Sequence, residues 1–237
     1  MSSRQTSNWI SLSDMMTGLM LIFLLIAVLT ISQVVAQENE RQQMITEYDL
    51  SKEEIYSDLE EAFGGKKDEW GIEIARDLSI KFQNPDLLFD TDDSNLKDNY
   101  RQILDEFIPK YLSIVNKDEY KNRIREVRIE GHTAEVSPAT PTYMSTISLS
   151  QNRANSVLAY MLENEYYLSL SEEDKAKLLF WFTANGLGKG RTLDANGEYT
   201  YESGGSISPT SRRVEFRIVT TSEELIEEII SKQKLTN

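Results

Sequence analysis

The sequence predicts an α+β domain carried behind a single N-terminal transmembrane helix. The first observation behind this is an apolar run, Met15 to Ala36, without one charged side chain. It exceeds the ~20 residues needed to cross a bilayer core. The second is the alternation, after Gly65, of segments with strand periodicity and segments with helical periodicity. The third is composition: 40% hydrophobic and 27% charged residues over 237 positions suit one ordinary domain plus an appendage.

Residues 1–8 read as a short cytoplasmic tail and residues 9–36 as the membrane helix, with Trp9 at the headgroup belt. A cleavable signal peptide would want a basic start, a shorter apolar core and a small-residue cleavage site, and instead the run is long and is followed by Gln-Glu-Asn-Glu-Arg-Gln-Gln. The N-terminal flank carries Arg4 and no acid, which places the N-terminus in the cytoplasm by the positive-inside rule. Residues 37–66 are charged, with Met44, Ile45, Tyr48, Ile55, Tyr56 and Leu59 at roughly helical intervals, and read as a helical spacer ended by Gly64 and Gly65.

Residues 67–221 form the expected compact domain. Trp70 to Arg76 and Leu78 to Asn84 alternate like a half-buried hairpin. Asn95 to Val115 predicts an amphipathic helix, perturbed near Pro109. A strand over Arg125 to His132 is followed by a Ser/Thr/Pro-rich loop from Thr133 to Ser148 and a helix over Leu149 to Asn164. Ser171 caps a further helix that passes near Trp181 into a strand, Asp194 to Ser206 is a Gly-rich loop, and Arg212 to Val219 is a strand. Residues 222–237 predict a C-terminal helix, acids first and lysines last, as its dipole prefers.

Composition also excludes functions. The 25 Lys and Arg against 39 Asp and Glu give a net charge of −14, so nucleic acid is not an expected partner. Arg4 and Asp14 are the only charged residues before Glu38 and cancel, so all of this charge lies beyond the anchor. With no cysteine and one histidine, His132, the chain offers no disulfide framework, no Cys nucleophile and no ordinary zinc set, and no metal site or cofactor is expected. No motif supports a Ser-His-Asp triad around His132, so no enzymatic activity is expected.

Asp14 stands where the apolar run begins. Two readings fit it. It is an interfacial N-cap favoured by the helix dipole, a role open also to Ser11 and Ser13, or it is an intramembrane carboxyl that binds and releases an ion. Thr17 and Gly18, three and four residues on, share its helix face and suit helix packing or an ion path.

The ordered landmarks Pro85 to Leu96, Val127 to Glu135, Leu149 to Leu162, Gly186 to Gly190 and Ser211 to Val219 resemble those of OmpA-like peptidoglycan-binding domains. The resemblance implies a mixed β-sheet of about four strands packed by helices, and no catalysis. It implies that Arg153 grips a carboxylate of the peptide stem as a charge-assisted fork, with His132, Thr146, Leu149, Glu135 and Arg213 as further wall-binding candidates. The acid usual after Gly-His-Thr is replaced by Ala134, with Glu135 beside it, and the Asn usual before Leu-Ser is Thr146.

A short tail, one membrane helix with an acid near its entry, a spacer and an OmpA-like domain together resemble MotB-type stator subunits, and among these the stator-like membrane subunits of Zorya antiphage systems more than flagellar ones. That resemblance implies an inner-membrane, single-pass homodimer with its C-terminal domain in the periplasm. It further implies that the two helices sit inside a ring, of about five copies, of a multi-pass MotA- or ZorA-like partner, with Asp14 carrying H⁺ or Na⁺. A passive envelope tether is the alternative.

Overall fold

The computed structural model describes residues 3–134 and 142–221. The expected C-terminal helix over 222–237 and the candidate Glu135 lie outside the described residues. The chain divides into two units, residues up to Asp49 and residues from Leu50 on.

The first unit is helical. α1 runs over Ser3–Phe63, and between Leu19 and Phe63 the sequence has neither Gly nor Pro to interrupt it. Its portion Asp14–Gln43 holds an 18-residue stretch of mean hydropathy 2.7, none of it buried, and is long and apolar enough to cross a membrane. Since the helix begins at Ser3, Asp14 lies inside it and has no N-cap position, which corrects the capping alternative.

In the second unit the order after α1 is α2 (Lys67–Trp70), β1 (Ile72–Ile74), β2 (Ser79–Phe82), α3 (Pro85–Leu88), α4 (Asp98–Val115), β3 (Ile124–Gly131), α5 (Tyr143–Glu163), α6 (Glu165–Ser169), α7 (Glu172–Trp181), β4 (Phe182–Gly186), α8 (Thr200–Ser203) and β5 (Val214–Thr220). The sheet has five strands in the order β1-β2-β5-β3-β4, parallel between β3 and β4 and antiparallel elsewhere. It is the mixed sheet expected, with one strand more than the resemblance implied, because the short β1–β2 hairpin adds both its strands at one edge.

One sheet face buries Ile80, Phe82, Val127, Ile129, Phe216 and Ile218. Phe107 and Tyr111 of α4 lie against it, with ring centroids 4.8 and 5.3 Å from Phe216. The spacer contributes to the same core. Ile55, Leu59 and Phe63, four residues apart along one stripe of α1, are fully buried, and Phe63 lies 4.9 Å from Phe107. Burial of each such side chain is worth roughly 1.5–3 kcal/mol. At the rim of the stripe, Asp58 accepts from Lys117 at 2.6 Å and from the Tyr120 hydroxyl at 2.5 Å.

A pair of glycines sets the position of α5. Gly131 and Gly186 face each other across β3 and β4. A Cβ at Gly131 would stand 2.1 Å from the Ser150 carbonyl oxygen, and one at Gly186 2.4 Å from the Gln151 nitrogen. The helix backbone thus lies directly on the strand ends, and Gln151 ties it there by accepting from Gly186 N–H at 2.8 Å and donating to the Ala184 carbonyl at 2.9 Å.

Candidate functional site

α5 begins at Tyr143, six residues before the expected start, with the Thr142 hydroxyl accepting from Ser145 N–H at 3.1 Å. Its inward face carries small polar side chains. Thr146 is fully buried and donates to the Tyr143 carbonyl at 2.6 Å, and Ser150 donates to Ile147 at 2.9 Å while accepting from Gly188 N–H at 2.8 Å. Thr146 therefore satisfies its hydroxyl within its own helix.

One turn on from Leu149, Arg153 lies 8% exposed over the Phe89 ring, its guanidinium carbon 4.9 Å from the centroid. Its Nε–H donates to the Asp93 carbonyl at 2.8 Å and Nη2 to the Asp90 carbonyl at 3.0 Å. Burial and then the charge of Arg212 lower its pKa, while Asp92 and Asp93 oppose the shift. Arg153 thus clamps the loop between α3 and α4 while lining the cleft beside it.

The cleft, of about 230 Å³, is lined by Arg153, Leu149, Thr133, Ala134, Asp92 and Arg212 among others. A smaller hollow of about 100 Å³ shares Arg153 and Arg212 with it and reaches His132 and Arg213.

Arg213 has a different role from the one expected. It is buried, its Nε donating to Glu215 at 2.5 Å and its Nη1 to the carbonyls of Arg191 and Ser211 at 3.2 and 3.3 Å. Its guanidinium is committed to the sheet, and it is Arg212 that faces the cleft. His132, 2% exposed, has Nε2 3.7 Å from Glu130 and 3.5 Å from Glu215. Those two acids are direct cross-strand partners, an unfavourable juxtaposition that the His132 and Arg213 side chains relieve. Burial is the largest influence on the His132 pKa and lowers it, against the pull of Glu130 and Glu215. For Glu130 burial pulls upward, and the nearby His132 ring with the charges of Arg191 and Arg217 brings its pKa below the usual value.

The structure therefore brings Arg153, Leu149, Thr133 and Ala134 to one cleft and gives Thr146, His132 and Arg213 internal partners or internal surroundings. Sequence reading missed Asp92 and Arg212. In the membrane unit, Asp14 and Gly18 are exposed on α1, and Gly18 leaves room for a close neighbour.

An OmpA family model matches residues 88–201, a span that holds the clamped loop, β3, α5 and β4. The Zorya protein ZorB of Escherichia coli strain Crooks is 31% identical over 235 residues, covering 97% of this chain and 94% of that protein. The chain belongs to the ZorB family. A second ZorB, from Escherichia coli O139:H28, is 24% identical over 89% of this chain and 79% of its own length. Both ZorB matches extend beyond the OmpA-type region, so the family likeness takes in sequence outside the domain as well as the domain itself. A MotB-like protein from Desulfovibrio vulgaris aligns at 18% identity with a TM-score of 0.48, covering 74% of this chain and 98% of its own.

Proposed function

We propose that this ZorB-family chain is the wall-anchored, stator-like subunit of an ion-driven motor in an inner-membrane Zorya antiphage complex. The observation that carries the reading is the likeness to a Zorya subunit over 97% of the chain, membrane helix and OmpA-like domain together. The helix enters from the cytoplasm, the domain stands in the periplasm, and its cleft holds a peptide stem of peptidoglycan. Two copies form a homodimer through the face of Gly18, within a ring of a multi-pass partner.

In this reading Asp14 carries the ion. A carboxyl inside an apolar helix is costly when charged and is retained where it serves a path. Burial favours its neutral, ion-loaded form and contact with water or a polar partner group its charged form, so alternating exposure loads and unloads it. Each elementary charge crossing yields ~2.3 kcal/mol per 100 mV of membrane potential. The wall-bound domain holds the helices still while the ring turns.

The test is phage protection in cells carrying the whole system with Asp14→Asn, which keeps shape and loses titration. Loss of protection with normal membrane insertion and partner assembly is expected. Full protection would remove Asp14 from the mechanism.

A further inference from the structure

Composition offers no ordinary zinc set, yet the fold brings a different set of donors together. Glu130 lies near the end of β3 with His132 just beyond it, and Glu215 opposes Glu130 directly across the β3–β5 ladder. The ladder continues one residue further, where His132 N–H donates to the Arg213 carbonyl at 3.0 Å. Residues two apart on extended chain share a face, so Glu130, His132, Arg213 and Glu215 form a square on one side of the sheet. All four are buried, His132 with 2% of its surface exposed.

Nε2 of His132 points between the two acids, 3.7 Å from a Glu130 oxygen and 3.5 Å from a Glu215 oxygen. A ring N–H bonded to a carboxylate would lie within about 3.2 Å, and neither ring nitrogen has a hydrogen-bond partner among the described residues. Donors that share one tetrahedral zinc, at ~2.0–2.2 Å each, are instead spaced by roughly 3.3–3.6 Å. One donor atom from each of Glu130, His132 and Glu215 lies within 4.8 Å of the other two. Arg213 Nε holds the Glu215 carboxylate at 2.5 Å, as outer donors orient metal-binding carboxylates. Arg191 and Arg217 act on Glu130 through their charges, so the donor spacing, more than net charge, favours an ion.

We propose that Glu130, Nε2 of His132 and Glu215 bind one small divalent transition-metal ion, zinc foremost, in a structural site that ties the end of β3 to the start of β5. Imidazole with two carboxylates suits zinc, whereas magnesium demands octahedral oxygen ligation and keeps its waters. His132 also lines the hollow of about 100 Å³, which admits a water for the fourth position. Lys97, Arg153 and Arg212 line the same hollow and slow a cation's entry, so binding is measured at equilibrium.

The experiment dialyses chelator-stripped, full-length protein in detergent to equilibrium against zinc alone. One zinc per chain is expected, with a rise in Tm of roughly 5–10 °C when zinc stands about a hundredfold above its Kd. Cobalt in place of zinc should give the intense visible absorption of a tetrahedral ion, which six-coordinate cobalt on exposed carboxylates does not. Glu130→Gln and His132→Gln, each poor as a ligand, should lose both the zinc and the rise in Tm while keeping the near-ultraviolet circular dichroism of the metal-free protein. Wild type that binds no zinc, a six-coordinate cobalt spectrum, or undiminished zinc binding in either variant overturns the proposal. Where a variant fails to fold, the stoichiometry and cobalt spectrum of wild type decide alone.

Discussion

Arg153→Ala should destabilise the domain whether or not ligand is present, because the guanidinium is first a structural clamp. It makes two charge-assisted bonds to backbone carbonyls, at 2.8 and 3.0 Å, that join α5 to the loop over residues 90–93. Such bonds are worth ~1.5–3 kcal/mol each. Asp90 is exposed, so water partly replaces what its carbonyl loses, and the lost contact with the Phe89 ring adds back roughly 0.5–1 kcal/mol. With the Asp90 bond replaced by water, the Asp93 bond and the ring contact leave a net cost of about 2–4 kcal/mol. For a domain of this size, that corresponds to a fall of roughly 4–16 °C in Tm at ~2–4 °C per kcal/mol. The assay is thermal unfolding of the full-length protein in detergent, followed by near-ultraviolet circular dichroism. Arg153→Lys should fall between the two, since an ammonium keeps the charge and lacks the planar fork. A wild-type Tm for Arg153→Ala would refute the clamp and leave Arg153 with ligand contact alone. An affinity loss in that variant therefore reports loop position as well as lost charge.

Other variants test other parts of the account. Gly131→Ala should cost about 1–3 kcal/mol or more in denaturant unfolding, because its Cβ would meet the Ser150 carbonyl at 2.1 Å. Tyr111→Phe should leave Tm unchanged or raise it, since the fully buried hydroxyl has no partner among the described residues and burial pushes its pKa up. A drop of several degrees would mean that the hydroxyl is satisfied. His132 has a folded pKa below its ordinary 6.5, so the unfolded chain takes up the proton first. Its contribution is then fully present above about pH 6.5 and is lost as pH falls toward the folded value, and urea titrations between pH 7.5 and 5.5 should show a slope that His132→Gln reduces.

Much of the fold was legible because local pattern and tertiary demand agree. The alternation around Glu73 and Lys81 forecast the hairpin, and the Ser171 cap forecast α7, where its hydroxyl accepts from Asp174 N–H at 3.1 Å. Pro109, expected to perturb α4, sits inside that helix without ending it. The start of α5 was misplaced because Ser145, Thr146 and Ser148 read as loop. Its inward face is polar and small, and its hydroxyls bond back to the helix or to Gly188, a solution that the close approach at Gly131 and Gly186 demands and composition does not announce.

At the site, Arg153 was found through its motif. Arg212 and Arg213 could not be told apart by pattern alone. Both precede β5, but Arg213, two residues before Glu215, bonds that side chain inside the domain, whereas Arg212 lines the cleft. Asp92 was invisible for a different reason. Its direction depends on a left-handed residue in a loop that a side chain 60 positions away holds in place.

The most direct measurement of the central claim is ion flux through the chain assembled with its multi-pass partner in proteoliposomes under an imposed potential. Flux with wild type, and none with Asp14→Asn in complexes of unchanged composition, is the expected result. Equal flux from both would contradict the account, leaving the membrane helix as an anchor and the wall-binding domain as a tether.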